Sequence, residues 1–171
     1  MHTMKKIIDF LETEILGLII IILCATSCNK DNDLGEQPYE LNDSLNTSIQ
    51  LKVSGFENLD GNLAIAIFND SDAFNNGGQT YKDSILSINS YEMDLIINNI
   101  ENGEYAISLF HDYDKNGELT TSSLLGFKIP QEGFGFSNNP NIGFSQPTYD
   151  ECKFTVIKDQ TLVVPIDINY L

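Results

Sequence analysis

From residue 47 onward, hydrophobic and polar residues alternate along most of the chain. In "SIQLKVSGF" the apolar residues Ile49, Leu51 and Val53 alternate with polar ones, which is the period of a strand with one buried face. Similar short segments follow as "NLAIAIFN", "YKDSILSINS", "YEMDLIINNI", "EYAISLFHD", "ECKFTVIKD" and "TLVVPIDINYL". Residues 47–171 are therefore predicted to form an all-β domain, an antiparallel β-sandwich of about seven strands.

Turn residues between these segments predict how some of the strands connect. Asp60-Gly61 is typical of a hairpin turn, and a turn at Asp159-Gln160 is expected to pair the last two strands with each other. Pro165 has no N–H for a ladder bond, so the final strand is predicted to lie at a sheet edge or to carry a bulge. "SDAFNNGG" predicts one helical turn capped by Ser71.

One long segment, Leu124–Cys152, is rich in glycine and phenylalanine and is too long for a hairpin turn. Two interpretations of its rings are open. They fold inward and pin a crossover between the sheets, as aromatic side chains usually do, or they form an exposed platform for a glycan or protein ligand. The rings in question are those of Phe127, Phe134, Phe136 and Phe144.

The N-terminal residues have a different pattern. "ILGLIIIIL" is continuously apolar but too short to span about 30 Å of hydrocarbon, and two lysines precede it, as in a secretory signal. "ATSC" then resembles a bacterial lipobox, which predicts a signal peptide at 1–27 and lipidation of Cys28. Residues 28–46 are polar and are predicted to be a flexible tether.

Charge and cysteine content narrow the class of protein. The net charge is −16, which excludes nucleic acid as a partner and suits a solvated exterior protein. Without the signal and the lipidated Cys28, only Cys152 remains, so no disulfide is expected. We expect an extracytoplasmic lipoprotein, held at the surface of the outer membrane by lipid.

Three stretches resemble a known bacterial family. "SLFHDYDKNGEL", "LLGFKIPQEGFGFSNN" and "GFSQPTYDECKFTV" are similar to the family named domain of unknown function 2141. The resemblance covers roughly residues 49–170 and implies a secreted or surface β-sandwich of the immunoglobulin-like or transthyretin-like kind. It implies no established activity. Members commonly carry an aspartate where this chain has Thr120.

The stretch "DYDKNGELT" presents a candidate calcium loop. Side-chain oxygens recur at Asp112, Asp114 and Asn116, the backbone carbonyl of Glu118 follows, and Thr120 offers a hydroxyl. Position 12 is a serine instead of glutamate, and strands flank the loop, so it is not an EF-hand. The alternative is a hairpin turn at Asn116-Gly117, with the two aspartates forming Asx turns.

Two classes of function remain open from the sequence. The first is a non-enzymatic accessory binding or structural module, with calcium as its cofactor if the loop binds one. The second is a small extracytoplasmic hydrolase with a site near His111, the only histidine left after residue 27. A pocket that gathers His111 with two carboxylates would favour the hydrolase. No catalytic residue is identified from the sequence.

Overall fold

The computed structural model describes residues 47–124, 127–143 and 145–171. The strands are β1 (Ser48–Ser54), β2 (Asn62–Phe68), β3 (Lys82–Ser87), β4 (Glu92–Asn98), β5 (Gly103–Asp112), β6 (Thr121–Leu124), β7 (Phe127–Pro130), β8 (Phe134–Phe136), β9 (Phe154–Val156) and β10 (Thr161–Asp167). The helices are α1 (Ser71–Asn76) and α2 (Tyr149–Cys152). The all-β prediction is confirmed. Cys28, the predicted signal peptide and the predicted tether lie outside the described residues.

Two sheets form the domain. Sheet A has the order β10-β1-β4, and sheet B has the order β3-β2-β5-β8, with β9 also paired to β5. All described pairs are antiparallel except β1 with β10, which run parallel. β6 and β7 pair only with each other, as a separate hairpin. None of the described helices is long and apolar enough to cross a membrane.

The core lies between the two sheets and follows the predicted alternation. Ile49, Leu51 and Val53 of β1 are at most 1% exposed, and Ile107 of β5 is fully buried. The described residues from 47 onward belong to one compact unit, which holds every described core residue. This unit therefore contains the hydrophobic core that its fold requires.

The sheets approach each other closely at β8, where glycine is necessary. A Cβ on Gly135 would lie 2.7 Å from Cγ2 of Ile166 and 2.8 Å from the carbonyl oxygen of Asp167. A bridge between Phe134 and Asn169 joins β8 to the residues after β10. The glycines of "EGFGF" thus permit β8 to lie against the C-terminal residues.

Two predicted strand connections are wrong. Asp60-Gly61 does not close a hairpin, because β1 pairs in sheet A and β2 pairs in sheet B. β9 and β10 do not pair with each other either, since β9 lies beside β5 and β10 beside β1. Each of these turns transfers the chain between sheets. The expected edge position of Pro165 is confirmed, since β10 is the outer strand of sheet A.

A second, smaller core covers part of the outer face of sheet B. Phe74 of α1 packs edge-on against Phe68, at 5.3 Å between ring centroids, and against Phe136, at 6.2 Å. Phe134 is 7% exposed, and Phe136 packs against Phe74, so these rings are packed against the protein. Because Gly135 between them faces Ile166 of sheet A, the rings lie on the outer face of sheet B and not between the sheets, where the crossover interpretation places them. The predicted helical turn is present, but its N-cap is Asp70 and not Ser71. The side chain of Phe127 and all of Phe144 lie outside the described residues.

Candidate functional site

The candidate site is the loop between β5 and β6 together with the chain just after β7. β5 ends at Asp112, and β6 begins at Thr121. Asn116-Gly117 is not a two-residue hairpin turn, since β6 does not pair with β5 and the positive φ angles fall on Lys115 and Gly117. The predicted hairpin turn is therefore wrong, because the type I′ turn that Asn-Gly favours needs a positive φ at both residues and Asn116 does not have one.

Asp112 is a buried carboxylate at the start of the loop. It is 1% exposed, and its two oxygens accept hydrogen bonds from the backbone N–H of Asn116 at 3.0 Å and of Gly117 at 3.2 Å. These bonds curl the loop around the carboxylate. They reach residues four and five positions on, so Asp112 does not form an Asx turn, which binds the backbone two residues on. Of the two aspartates, only Asp114 makes the predicted Asx turn, with the backbone of Asn116.

Asp114 and Asn116 continue the same pattern nearer the surface. Asp114 Oδ1 accepts from the Asn116 backbone at 3.1 Å, and Asp114 Oδ2 accepts from Asn116 Nδ2 at 2.8 Å. Asn116 Oδ1 in turn accepts from the Glu118 backbone at 2.7 Å. The Thr120 hydroxyl lies 3.3 Å from Asp114 Oδ2 and 3.0 Å from Asn116 Nδ2. These side chains thus bind one another across the loop.

Glu132 enters the site from outside the predicted loop. It is 7% exposed, and its two oxygens accept from the Tyr113 backbone at 2.9 Å and the Thr120 backbone at 2.8 Å. One side chain therefore bridges the beginning and the end of the loop. Its sequence signal was a single acid between Pro130 and Gly133, within the segment rich in glycine and phenylalanine.

Three carboxylates converge at this point. Asp112, Asp114 and Glu132 each offer one oxygen, and these oxygens all lie within 4.8 Å of one another. The ion pairs identified among the described residues involve Asp94, Glu104 and Asp150 instead. Two of the five predicted ligands, Asp112 and Asp114, belong to this group of acids. Asn116 and Thr120 bond Asp114 within the same loop.

His111 adjoins this group in sequence but faces the core. It is 1% exposed. Its Nε2 bonds the carbonyl oxygen of Asp60, and its Nδ1 lies 2.6 Å from the Tyr170 hydroxyl. Because a carbonyl only accepts, Nε2 donates to Asp60, and in a neutral ring Nδ1 then accepts from the Tyr170 hydroxyl. Burial raises the pKa of Tyr170, which keeps that hydroxyl protonated.

The bonds of His111 leave neither ring nitrogen for a substrate. A general base must reach the proton that it removes, whereas both nitrogens here bind the protein's own groups in the core. Phe56 also packs edge-on against the ring, at 5.7 Å between centroids. This geometry is that of a structural histidine, and it gives the hydrolase interpretation no support.

Cys152 is the one free cysteine among the described residues. It is fully buried in the smaller core. Burial is the main reason that the pKa of its thiol rises to about 12, with a further contribution from the nearby Glu151 carboxylate. A thiol with this pKa is almost entirely protonated at neutral pH and is a poor nucleophile.

Comparison with known families identifies the domain. Residues 51–164, two thirds of the chain, match the family described as an uncharacterized protein conserved in bacteria (DUF2141). The chain belongs to this family. The match runs from within β1 to within β10 and includes the candidate site, and it agrees with the sequence resemblance. Neither curated proteins nor solved structures give a significant match to the chain.

Proposed function

We propose that this DUF2141 chain is a non-enzymatic, surface-anchored lipoprotein module whose β5–β6 loop binds calcium. The observation that carries the calcium assignment is the convergence of Asp112, Asp114 and Glu132 within 4.8 Å. Two of these carboxylates are more than nine-tenths buried. Like charges at this separation repel one another, and a bound cation offsets both the repulsion and the cost of burial.

The chemistry of the donors favours a hard cation. All three side chains in the group offer oxygen, the ligand atom that Ca²⁺ and Mg²⁺ prefer, and none offers the nitrogen or sulfur that suits zinc. Calcium tolerates irregular geometry better than magnesium does. A loop closed by a glutamate from a neighbouring segment is irregular, so calcium is the better fit. The expected Kd is about 10⁻⁴ to 10⁻³ M, as in extracellular modules.

Calcium is expected to stabilise the folded domain. For residues 42–171 in about 10 mM calcium, the stated Kd range gives roughly 1.4 to 2.7 kcal/mol of added stability, because only the native state presents the site. This corresponds to a rise in Tm of roughly 5–10 °C. Thermal unfolding followed by circular dichroism, with and without calcium, measures the shift.

Two variants that each remove one negative charge distinguish calcium binding at the site from screening of the net charge of the chain. Glu132→Gln removes a converging carboxylate, whereas Glu118→Gln changes an exposed acid of the same loop. We expect the calcium-dependent rise in Tm to disappear in Glu132→Gln and to persist in Glu118→Gln. A rise of equal size in both variants would mean that calcium acts by screening the charge of the whole chain.

The anchoring part of the proposal depends on Cys28 and the sequence around it. An apolar run of signal length, small residues before the cysteine and a polar segment after it support lipidation. Stable attachment by this route needs two or more acyl chains. In a bacterial host that processes lipoproteins, Cys28→Ala is expected to move the protein out of the outer-membrane fraction. Unchanged partitioning of this variant would contradict the proposed anchor.

A further inference from the structure

An apolar cleft opens between β3 and β4, on the side of the sandwich away from β8. Among the described residues β3 pairs only with β2, and β4 pairs only with β1, so each is the free edge of its sheet. The cleft has a volume of about 350 Å³, at the lower end of the range for small-molecule sites. It lies apart from the carboxylates of the β5–β6 loop.

The walls of the cleft are core side chains. Ile65 and Ile67 come from β2, Leu86 from β3, and Leu95 and Ile97 from β4. Leu86, Leu95 and Ile97 pack against the main core but are only partly buried. The cleft between β3 and β4 therefore leaves part of the apolar core surface accessible to solvent.

The two ends of the cleft are closed. At one end Lys82 reaches across from β3, and its Nζ donates to the backbone oxygens of Asn98 and Asn99, both at 2.9 Å. At the other end the chain passes directly from β3 to β4, with Ile88 buried in the connection. About five residues of strand separate the ends, or roughly 17 Å. A closed cleft of this length suits a short ligand better than an added strand.

Several polar groups lie at the Lys82 end of the cleft. An ammonium has three N–H donors, and two of those on Lys82 bind the carbonyl oxygens described above. The same ammonium lies 5.7 Å from the centroid of the Tyr81 ring, a contact that involves no hydrogen-bond acceptor. Ser84 also lines the cleft. Asp83, the acid at this end, is exposed and accepts a hydrogen bond from the Thr80 hydroxyl at 3.1 Å. The Lys82 end thus offers an anion a positive charge and an N–H donor, beside an apolar channel.

We propose that the β3–β4 cleft binds a free amphipathic carboxylate with a single aliphatic chain. The chain lies between the walls formed by β2, β3 and β4, and the carboxylate meets the ammonium of Lys82. Charge complementarity places the head group at Lys82, and the closed ends limit the ligand to one short chain. This inference is independent of calcium binding and extends the module's role to a specific ligand class.

Decanoate tests the inference on residues 42–171, with 1-decanol as the neutral analogue. Decanoate is expected to bind with a Kd below about 1 mM and to shift the NMR amide signals of β3 and β4. A charge-assisted hydrogen bond to Lys82 predicts at least about tenfold tighter binding than that of decanol. Isothermal titration gives the affinities.

Three variants locate the binding. Lys82→Met is expected to remove the preference for decanoate, whereas Lys128→Met, the same change at an exposed position of β7, keeps it. Ser84→Trp fills the cleft without removing a core side chain and is expected to abolish binding of both ligands. Undetectable decanoate binding at about 1 mM, or affinity unchanged by Ser84→Trp in a folded domain, would overturn the inference.

Discussion

Replacing His111 with alanine is expected to lower the free energy of unfolding by about 4 kcal/mol. The change removes a ring that is 1% exposed, and aromatic-to-alanine changes in cores cost about 3–5 kcal/mol. It also leaves the carbonyl of Asp60 and the hydroxyl of Tyr170 without their partner. Urea unfolding of residues 42–171 measures the loss.

Tyr170→Phe measures the contribution of one hydrogen bond of His111, because both rings stay in place. This variant keeps the ring of Tyr170 and removes only the hydroxyl that donates to His111 and accepts from the Glu57 backbone at 3.3 Å. The expected cost is about 1–2 kcal/mol. If His111→Ala unfolds with the wild-type midpoint, the ring does not hold the structure together, and the hydrolase interpretation regains its candidate base.

Gly61→Ala is expected to destabilise the domain by about 3 kcal/mol. Gly61 has a φ of 85°, which L-residues adopt at a cost of roughly 1–2 kcal/mol. An added Cβ would also overlap backbone atoms of Asp112 and Tyr113, and backbone cannot move aside as a side chain can. Relief of the overlap must shift Asp112, so calcium stabilisation is expected to weaken in the same variant.

Gly77→Ala is the matched control for Gly61→Ala. Gly77 ends α1 with a φ of 72°, and nothing lies within 4 Å of its added Cβ. Its expected cost is therefore the conformational part alone, roughly 1 kcal/mol. Equal losses in the two alanine variants would show that the close approach of Gly61 to Asp112 does not constrain the folded domain.

The fold class was predictable because alternation is a local signal. The buried faces of β1 and β5 follow directly from residues two apart, such as Ile49 and Leu51. The pairing of the strands was harder to predict from the sequence. Asp159 has the positive φ of a turn residue, but a turn does not specify whether the following strand joins the same sheet. The parallel pairing of β1 with β10 depends on contacts between the two ends of the domain.

The candidate site was partly predictable for the same reason. Asp112 and Asp114 lie two residues apart, so the local sequence pattern of the loop predicts both of them as ligands. Glu132 follows a separate hairpin, and only the folding of β6 and β7 places it beside them. The role of His111 was also hidden, because its partners Asp60 and Tyr170 are distant in sequence.

A crystal structure of residues 42–171 grown with about 10 mM calcium would show whether the β5–β6 loop holds a cation. We expect one strong density peak, with anomalous signal, about 2.3–2.6 Å from oxygens of Asp112, Asp114 and Glu132. The peak should be absent from crystals of Glu132→Gln grown in the same way. Well-ordered carboxylates with no peak between them at this calcium concentration would contradict the proposed calcium site.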